Sequence, residues 1–244
     1  MNNLTESDYQ TFEACFIDRQ LVEQAKLRRV DDFDGAELVG KTRKAGTDYG
    51  GIIFPYFLPP NYESPHGYNL RRDKPDIERI GAEEKKVRKY MRASGERLGL
   101  YFPPNVTADM LADLSLPIVI CEGEKKLLAL YRLATFGLKK GERWRFLPIG
   151  ISGVFNWRGK IAKTTRSNGA MCNVKGLITD FQILDLAHRQ TIILFDANVK
   201  TNPNVKIARY QLAKKLQAEK NAMVYFADLP QIDDINGIDD LLGL

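Results

Sequence analysis

The sequence of 244 residues predicts an α/β protein in two parts. The first part, residues 1–115, is expected to be a small α+β N-terminal subdomain, because prolines separate short β-like pieces and prevent a long helix. The second part, residues 116–244, is expected to be a parallel sheet with helices on both faces, because short apolar runs alternate with helical segments. The change in composition near residue 115 predicts the domain boundary.

The second part begins with a short apolar run at residues 118–121, which is typical of a strand that is buried on both faces. Further strands are predicted at residues 146–151, 191–195 and 224–226. Helices are predicted between them, at residues 125–136 and 205–219.

The first part begins with apolar residues at near-helical spacing, which predict one helix over residues 5–29. Short β-like pieces follow at 51–57, 67–72 and 87–91. A connector with a short helix at 108–114 is expected to join the two parts.

Composition excludes several classes of protein. A hydrophobic fraction of 44% with 27% charged residues is ordinary for a globular chain, and the apolar runs are far shorter than the ~20 residues of a membrane helix. The acidic N-terminal segment lacks the basic and apolar pattern of a secretory signal, so we expect a cytoplasmic protein. Three separated cysteines and two histidines do not form a disulfide framework or a zinc knuckle. A metal ion would therefore bind to carboxylates, which suits Mg²⁺.

Basic residues are concentrated in two segments. Residues 125–175 hold 12 basic side chains and one acidic side chain, and residues 85–97 hold six basic and one acidic. Aromatic residues lie within or beside these segments, which predicts a phosphate-binding face that stacks unpaired bases. The alternative is that the lysines are ordinary exposed residues and that the two tryptophans belong to the core. The aromatic residues concerned are Tyr90, Tyr101, Trp144, Phe155 and Trp157.

Acidic residues follow the predicted strands of the second part. Glu122 and Glu124 follow the first strand, Asp196 follows the third, and the pair Asp239 and Asp240 stands near the end of the sequence. Because ligands of open α/β sheets bind at the carboxyl ends of the strands, these acids together predict a Mg²⁺ site. For any one of them alone, capping of a helix is the competing explanation.

This order of motifs resembles the Toprim domain of primases, topoisomerases and some nucleases. From about residue 5 to residue 242, the chain is similar to primase-like Toprim proteins carried by plasmids, phages and integrative elements. The resemblance implies a Toprim-like Rossmannoid sheet and a Mg²⁺- or Mn²⁺-dependent, DNA-directed nucleotidyltransferase in the replication of a mobile element. The matching segments are GIIFPYF (51–57), LRRDKPD (70–76), KYM (89–91), CEGEKKLLAL (121–130), GISGVFNW (150–157), FDANVKTNPNVKIARYQLAKKL (195–216) and GIDDLL (237–242).

The resemblance also implies roles for the acidic residues. Glu122 matches the Toprim glutamate, which acts as a general acid or base or orients a metal-bound phosphate, and Asp196 matches the first metal-binding aspartate. Asn198 stands where relatives usually carry a second aspartate. It offers a carbonyl oxygen but no charge, which implies a weaker metal site, and Asp239 and Asp240 would restore part of the negative charge.

A second set of residues is implied to bind nucleotide and nucleic acid. The basic members of the N-terminal part resemble residues that primases place opposite the metal site, although an ordinary solvated strand face would explain them too. The two glycines would let the backbone approach a ligand, or would serve only in turns. The set is Arg71, Arg72, Lys89, Gly123, Lys125, Lys126 and Gly153.

The partners implied are nucleoside triphosphates and single-stranded DNA or RNA, with no membrane. The sequence contains no G-x-x-x-x-G-K-[ST] motif, so a helicase would be a separate chain. Two alternatives stay open beside the primase-like enzyme. Asn198 favours a catalytically weak, single-strand-binding replication module, and the acidic residues are also compatible with a Toprim nuclease.

Overall fold

The computed structural model describes residues 3–44, 46–80, 83–96 and 99–244, apart from the side chains of residues 78–80 and 83–87. The chain forms two compact units. One unit comprises Met1–Phe12, Asp18–Phe57 and Asn61–Arg97, and the other comprises Glu13–Ile17, Leu58–Pro60 and Leu98–Leu244. The expected division into domains at residue 115 stays a prediction. Within the described residues, no helix has the length and apolar character needed to cross a membrane.

Among its described residues, the first unit contains three short helices and six strands. Its elements are α1 (Glu6–Glu13), α2 (Arg19–Gln24), β1 (Arg28–Val30), α3 (Asp32–Leu38), β2 (Gly51–Tyr56), β3 (Gly67–Arg72), β4 (Asp76–Ile80), β5 (Glu83–Val87) and β6 (Tyr90–Met91). Strands β1, β2, β3 and β6 form an antiparallel sheet in that order, and β4 pairs with β5. The predicted β-like pieces at 51–57 and 67–72 are therefore strands of one small sheet, whereas the piece at 87–91 contributes only Tyr90–Met91 to it.

The single helix predicted over residues 5–29 is wrong. The structure has two helices and the strand β1 in this range. Phe16 adopts a positive φ of 60°, which a continuous right-handed helix does not permit, and the carboxylate of Asp18 accepts a hydrogen bond from the backbone of Leu21 to cap α2. The near-helical spacing of apolar residues thus belongs to two separate helices with a turn between them.

The second unit is built on a five-stranded sheet. Its elements are β7 (Leu100–Tyr101), α4 (Ala108–Ala112), β8 (Ile118–Glu122), α5 (Glu124–Thr135), β9 (Leu147–Ile151), β10 (Arg158–Thr165), β11 (Met171–Leu177), β12 (Gln190–Leu194), α6 (Pro203–Lys220), β13 (Met223–Ala227) and α7 (Ile238–Leu242). The strand order is β13-β12-β8-β9-β7. The first four strands of this order are parallel, and β7 pairs antiparallel with β9.

The parallel sheet predicted for this part is confirmed for four strands, and the fold is a mixed α/β fold. Two features differ from the sequence prediction. The antiparallel strand β7, which lies just before the expected connector, was not predicted, and neither was the antiparallel ribbon of β10 and β11 between β9 and β12. Helix α5 packs on β8 and β9, and α6 packs on β13. That helices cover both faces of the sheet stays a prediction.

The strand order creates a switch point between β8 and β12. After β8 the chain adds β9 on one side of it, and it later adds β12 on the other side. In open α/β sheets, such a reversal opens a crevice at the carboxyl ends of the two central strands, where ligands bind. Glu122 is the last residue of β8, and Asp196 comes two residues after the end of β12.

Candidate metal and catalytic site

Asp196 is a buried carboxylate with two side-chain partners. Its Oδ2 atom lies 2.9 Å from Nζ of Lys126 and accepts a hydrogen bond of 3.2 Å from Nδ2 of Asn236. Asp196 precedes the 3₁₀ helix Ala197–Lys200, but its side chain makes no capping hydrogen bond to that helix. Burial raises the pKa of Asp196 even though Lys126 opposes the shift. Helix capping therefore does not explain this acid.

Glu122 has the environment of a group that exchanges protons near neutral pH. Burial, reinforced by the negative charge of Asp196, raises the pKa of Glu122 to about 7, against the opposing effects of Lys126 and a hydrogen bond donated by the backbone of Val154. A carboxyl group with such a pKa is suited to general acid–base chemistry. Glu124, in the first turn of α5, is buried and adds a further negative charge nearby.

The two acids of the final pair have different environments. Asp240 accepts backbone hydrogen bonds from Asn236 (3.1 Å) and Gly237 (2.8 Å), and it thereby caps α7. Asp239 is buried, and its Oδ2 atom lies 3.6 Å from Nζ of Lys125. Its Oδ1 atom is buried without a hydrogen-bond partner among the described residues. Of the pair, Asp239 is therefore the acid whose carboxylate has a buried oxygen without a hydrogen-bond partner within the described residues.

The oxygen atoms of this group of residues are of the kind that binds a hard divalent cation. The Oδ1 atom of Asp239 and the Oδ1 atom of Asn198 are both buried and lack hydrogen-bond partners within the described part of the chain. Asn198 lies two residues after Asp196, whose pKa is raised by the charge of Asp239 as well as by burial. Carboxylate and amide oxygens are the ligands that Mg²⁺ accepts. The unpaired oxygens are the observation that favours a cation here.

Both lysines that follow the Glu-Gly motif bind acids of this cluster. Lys126 pairs with Asp196, and the surrounding carboxylates raise the pKa of Lys126 further although burial opposes this. Lys125 contacts Asp239 and lies 3.0 Å from Sγ of Cys15. Their predicted contacts with nucleic acid stay predictions, and in this structure their two positive charges offset part of the negative charge of the acidic residues.

The two glycines of the site are required by backbone conformation. Gly123 has a φ of 92° and Gly153 a φ of 117°, which L side chains rarely adopt. The backbone N–H of Gly123 donates to the carbonyl of Ile151, which joins the turn after β8 to the end of β9. The space beside the Cα of Gly123 is open, so a backbone approach by a ligand stays a prediction.

Cys15 and Asn236 were not predicted from the sequence. Sγ of Cys15 and carboxylate oxygens of Asp239 and Asp240 lie within 4.8 Å of one another. Cys15 is more than 100 residues away in the sequence, and no local pattern indicates the contact. Asn236 directly precedes the GIDD segment, but its contact with Asp196 depends on the tertiary fold.

The predicted nucleotide-binding residues of the first unit have different environments. Arg72 is buried, and its guanidinium donates to Asp76 (2.9 Å) and to the backbone carbonyl of Asp48 (2.7 Å). Arg71 is partly exposed, and its Nε atom lacks a partner among the described residues. Lys89 is exposed. Arg72 is thus the arginine that binds an acid, and Arg71 and Lys89 remain candidates for nucleotide binding.

The predicted stacking surface needs correction. Trp144, Trp157 and Tyr101 are buried, and Trp144 packs edge-on against Tyr131 with ring centroids 4.9 Å apart. These three rings fill the core because their apolar area gains more from burial than from exposure. Tyr90, which belongs to the same predicted set, is 37% exposed.

Phe155 is partly exposed, and the guanidinium of Arg158 lies 4.4 Å from its ring centroid. Phe155 therefore remains available at the surface of the second unit, although a cation already covers one face of the ring. Within the basic segment 85–97, the side chains of residues 85–87 and all of residue 97 lie outside the described residues.

Comparisons with known proteins give one family match and one structural match. A family model described as a domain of unknown function (DUF3854) matches residues 108–243, which include every acid of the site. The structure is similar to the zinc-binding and RNA polymerase domains of the Aquifex aeolicus primase, with a TM-score of 0.55 and 13% sequence identity. The similarity covers 98% of this chain and 52% of the primase chain, so this chain spans about half of that protein. No curated protein matches the sequence.

Proposed function

The chain belongs to the DUF3854 family, and from this premise we propose that it is a primase-like, DNA-directed nucleotidyltransferase that depends on Mg²⁺ or Mn²⁺. The observation that carries the proposal is the group of Glu122, Asp196 and Asp239 at the switch point of a sheet whose fold is similar to that of a primase. Its place would be in the replication of a mobile element, in the cytoplasm, and its substrates would be nucleoside triphosphates and a single-stranded template.

The metal would be held by Asp196, Asp239 and the amide oxygen of Asn198, and Glu122 and Asp240 border the same site. When bound, it would neutralise the triphosphate and stabilise the charge that develops during phosphoryl transfer. Glu122, with its pKa near neutrality, would accept the proton that the 3′ hydroxyl loses as its oxygen bonds to the α-phosphorus of the triphosphate and pyrophosphate leaves. Lys126 would hold Asp196 in place through the 2.9 Å contact.

Arg71 and Lys89 would contribute positive charge for phosphate groups, as their exposure allows. Removal of such a phosphate contact is expected to weaken nucleotide binding about 10- to 150-fold, the equivalent of roughly 1.5–3 kcal/mol for a hydrogen bond to a charged group.

The proposal is tested by incubating the chain with labelled nucleoside triphosphates, a single-stranded template and Mg²⁺ or Mn²⁺. Template-dependent products are expected from the wild type, and Glu122→Gln is expected to lower the rate by about 10²–10⁴-fold, the usual contribution of a general acid or base. Asp228→Asn is the matched control, because Asp228 pairs with Arg209 on the surface of the same unit. The absence of products from the wild type would refute the proposed enzymatic function. Equal rates for Glu122→Gln and the control would refute the proposed catalytic role of Glu122.

A second candidate is a catalytically weak nucleic-acid-binding module. It is favoured by Asn198, which removes one charge from the metal site, and by Lys126, which already neutralises Asp196. This candidate predicts nucleic-acid binding without synthesis or cleavage in the same assay. Metal-dependent cleavage of the labelled template would instead indicate the nuclease alternative.

A further inference from the structure

The ribbon formed by β10 and β11 carries only positive charge. Residues 158–177 contain five basic side chains, no acidic side chain and no aromatic side chain. Most of the ribbon is exposed, including 54% of Ile161 and 63% of Met171. No ion pair involves its three lysines, Lys160, Lys163 and Lys175, within the residues that the structure describes.

A β-bulge places the three lysines on one face of the ribbon. Lys160 lies opposite Lys175 and Lys163 lies opposite Asn173, with the register shifted between Lys160 and Ala162. In a regular strand, residues 160 and 163 point to opposite faces, because side chains alternate. The extra residue of the bulge, Ile161, shifts the alternation of side chains by one position, so that Lys160 and Lys163 lie on the same face as Lys175.

The opposite face is uncharged. Residues Ala162 and Val174 are paired on it, and so are Thr164 and Cys172. A Cβ added to Gly176 would meet the side chain of Ile161, so the bulged isoleucine packs over this glycine on the same face. The ribbon therefore has one basic face and one apolar face.

The pairing of Lys160 with Lys175 is unfavourable for the folded ribbon by itself. Like charges directly opposite one another on a sheet are destabilising, and no carboxylate of the ribbon compensates them. An anionic partner would relieve this repulsion. Lys160 and Lys163 are about 7 Å apart along the ribbon, which corresponds to two nucleotide steps of roughly 3.4 Å each, measured along the axis of a duplex.

We propose that the lysine face of this ribbon binds the phosphate backbone of double-stranded nucleic acid, independently of its sequence. A two-stranded ribbon fits the major groove of a duplex, whereas the absence of aromatic side chains leaves no platform on which unpaired bases stack. This inference deepens the proposed function, because a primase-like enzyme holds its template paired with the product.

The test is fluorescence anisotropy with a labelled duplex of random sequence and the corresponding single strand. The triple variant Lys160→Ala, Lys163→Ala, Lys175→Ala is expected to bind the duplex at least about tenfold more weakly at low salt. Because this variant neutralises three fewer phosphates, the slope of log affinity against log salt should be about 2.7 smaller in magnitude than that of the wild type. Between roughly 50 and 200 mM salt, the variant should therefore lose about 40-fold less affinity than the wild type. The triple variant Lys206→Ala, Lys214→Ala, Lys220→Ala on α6 removes the same charge and is expected to retain affinity.

A variant in which one lysine is moved to the other face tests whether duplex affinity depends on the position of the lysines or only on the net charge. Lys163→Ala combined with Thr164→Lys keeps the total charge but moves one lysine to the apolar face. We expect the double variant to bind the duplex as weakly as Lys163→Ala alone. Full recovery of affinity in the double variant, or unchanged duplex affinity in the triple variant, would overturn the proposal, and the single-residue variants remain informative where the triple variant does not fold.

Two further arms identify the partner and separate this inference from the proposed function. Stronger loss of single-strand binding than of duplex binding would overturn the duplex assignment, and displacement of the duplex by low concentrations of polyglutamate would indicate an acidic protein as the partner. Glu122→Gln is expected to bind the duplex normally while synthesis is lost. Duplex binding without synthesis in the wild type would refute the proposed enzymatic function but not the proposed binding of duplex by the ribbon.

Discussion

Replacement of Lys126 by methionine tests the central ion pair of the site. Methionine keeps much of the length and apolar volume of the lysine side chain but leaves the carboxylate of Asp196 without its 2.9 Å partner. The side chain of Asp196 is 10% exposed and that of Lys126 is 20% exposed. Breaking a fully buried pair costs about 3–5 kcal/mol, because the remaining charge stays desolvated. With partial exposure, we expect a loss of about 2–4 kcal/mol.

The assay is thermal unfolding in the presence of a chelator. For a chain of this size, each kcal/mol shifts the Tm by about 2–4 °C, so a decrease of about 5–15 °C is expected. Lys215→Met is the matched control, because it removes a lysine from an exposed ion pair with Glu219 and should alter the free energy of unfolding by less than about 1 kcal/mol. Equal Tm values for the two variants would refute the energetic role of the pair.

Metal addition extends the same experiment. A cation that binds beside Asp196 replaces the lost positive charge, so Mg²⁺ or Mn²⁺ should raise the Tm of Lys126→Met more than the Tm of the wild type. Identical shifts in both proteins would show that the cation does not bind at Asp196, and the proposed ligand set would then be wrong.

Three further predictions concern single residues. Asn198→Asp should tighten Mg²⁺ binding, measured by calorimetry, by at least about tenfold, because even residues that only hydrogen-bond to metal ligands typically change the metal affinity by that factor. Unchanged affinity would exclude Asn198 as a ligand. Arg72→Ala should lower the free energy of unfolding by about 3 kcal/mol in urea titrations, because it removes a buried guanidinium that donates to Asp76 and to the carbonyl of Asp48. Arg71→Ala, in contrast, should fold normally and bind nucleotide more weakly. Burial raises the pKa of Asp8, but hydrogen bonds, chiefly from Arg29, outweigh this and lower the pKa to about 2. The stabilisation from this pair is therefore complete above about pH 5 and is lost progressively as the pH falls from about 5 to 1. Asp8→Asn should reduce the decrease in the free energy of unfolding over this range by roughly 1–2 kcal/mol, measured by urea titrations at each pH.

Local patterns predict the strands and the acids of the second unit. The apolar run before Glu122 and the run before Asp196 each form a parallel strand at the predicted position, because a strand buried on both faces needs apolar side chains throughout. A carboxylate that directly follows such a strand is placed at the sheet edge by chain connectivity alone. These elements could be predicted without knowledge of any long-range contact.

Aromatic and basic residues were harder to predict, because their types are compatible with both core and surface. Trp144 and Trp157 are buried, and Arg72 is buried with an acid, although the sequence around each is rich in charge. The amphipathic character of these side chains permits either environment, and the choice depends on the surrounding elements.

The sequence by itself determined that the second unit is an α/β unit with strands followed by acids, because hydrophobic periodicity is a local property. The tertiary structure alone decided that β8 and β12 are parallel neighbours, and therefore that Glu122 and Asp196 lie at the same edge of the sheet. It also decided that Lys126 binds Asp196 and that the bulge at Ile161 brings three lysines to one face. Strand order and register depend on the free energy of pairing between segments that are distant in the sequence, and no local sequence pattern encodes that free energy.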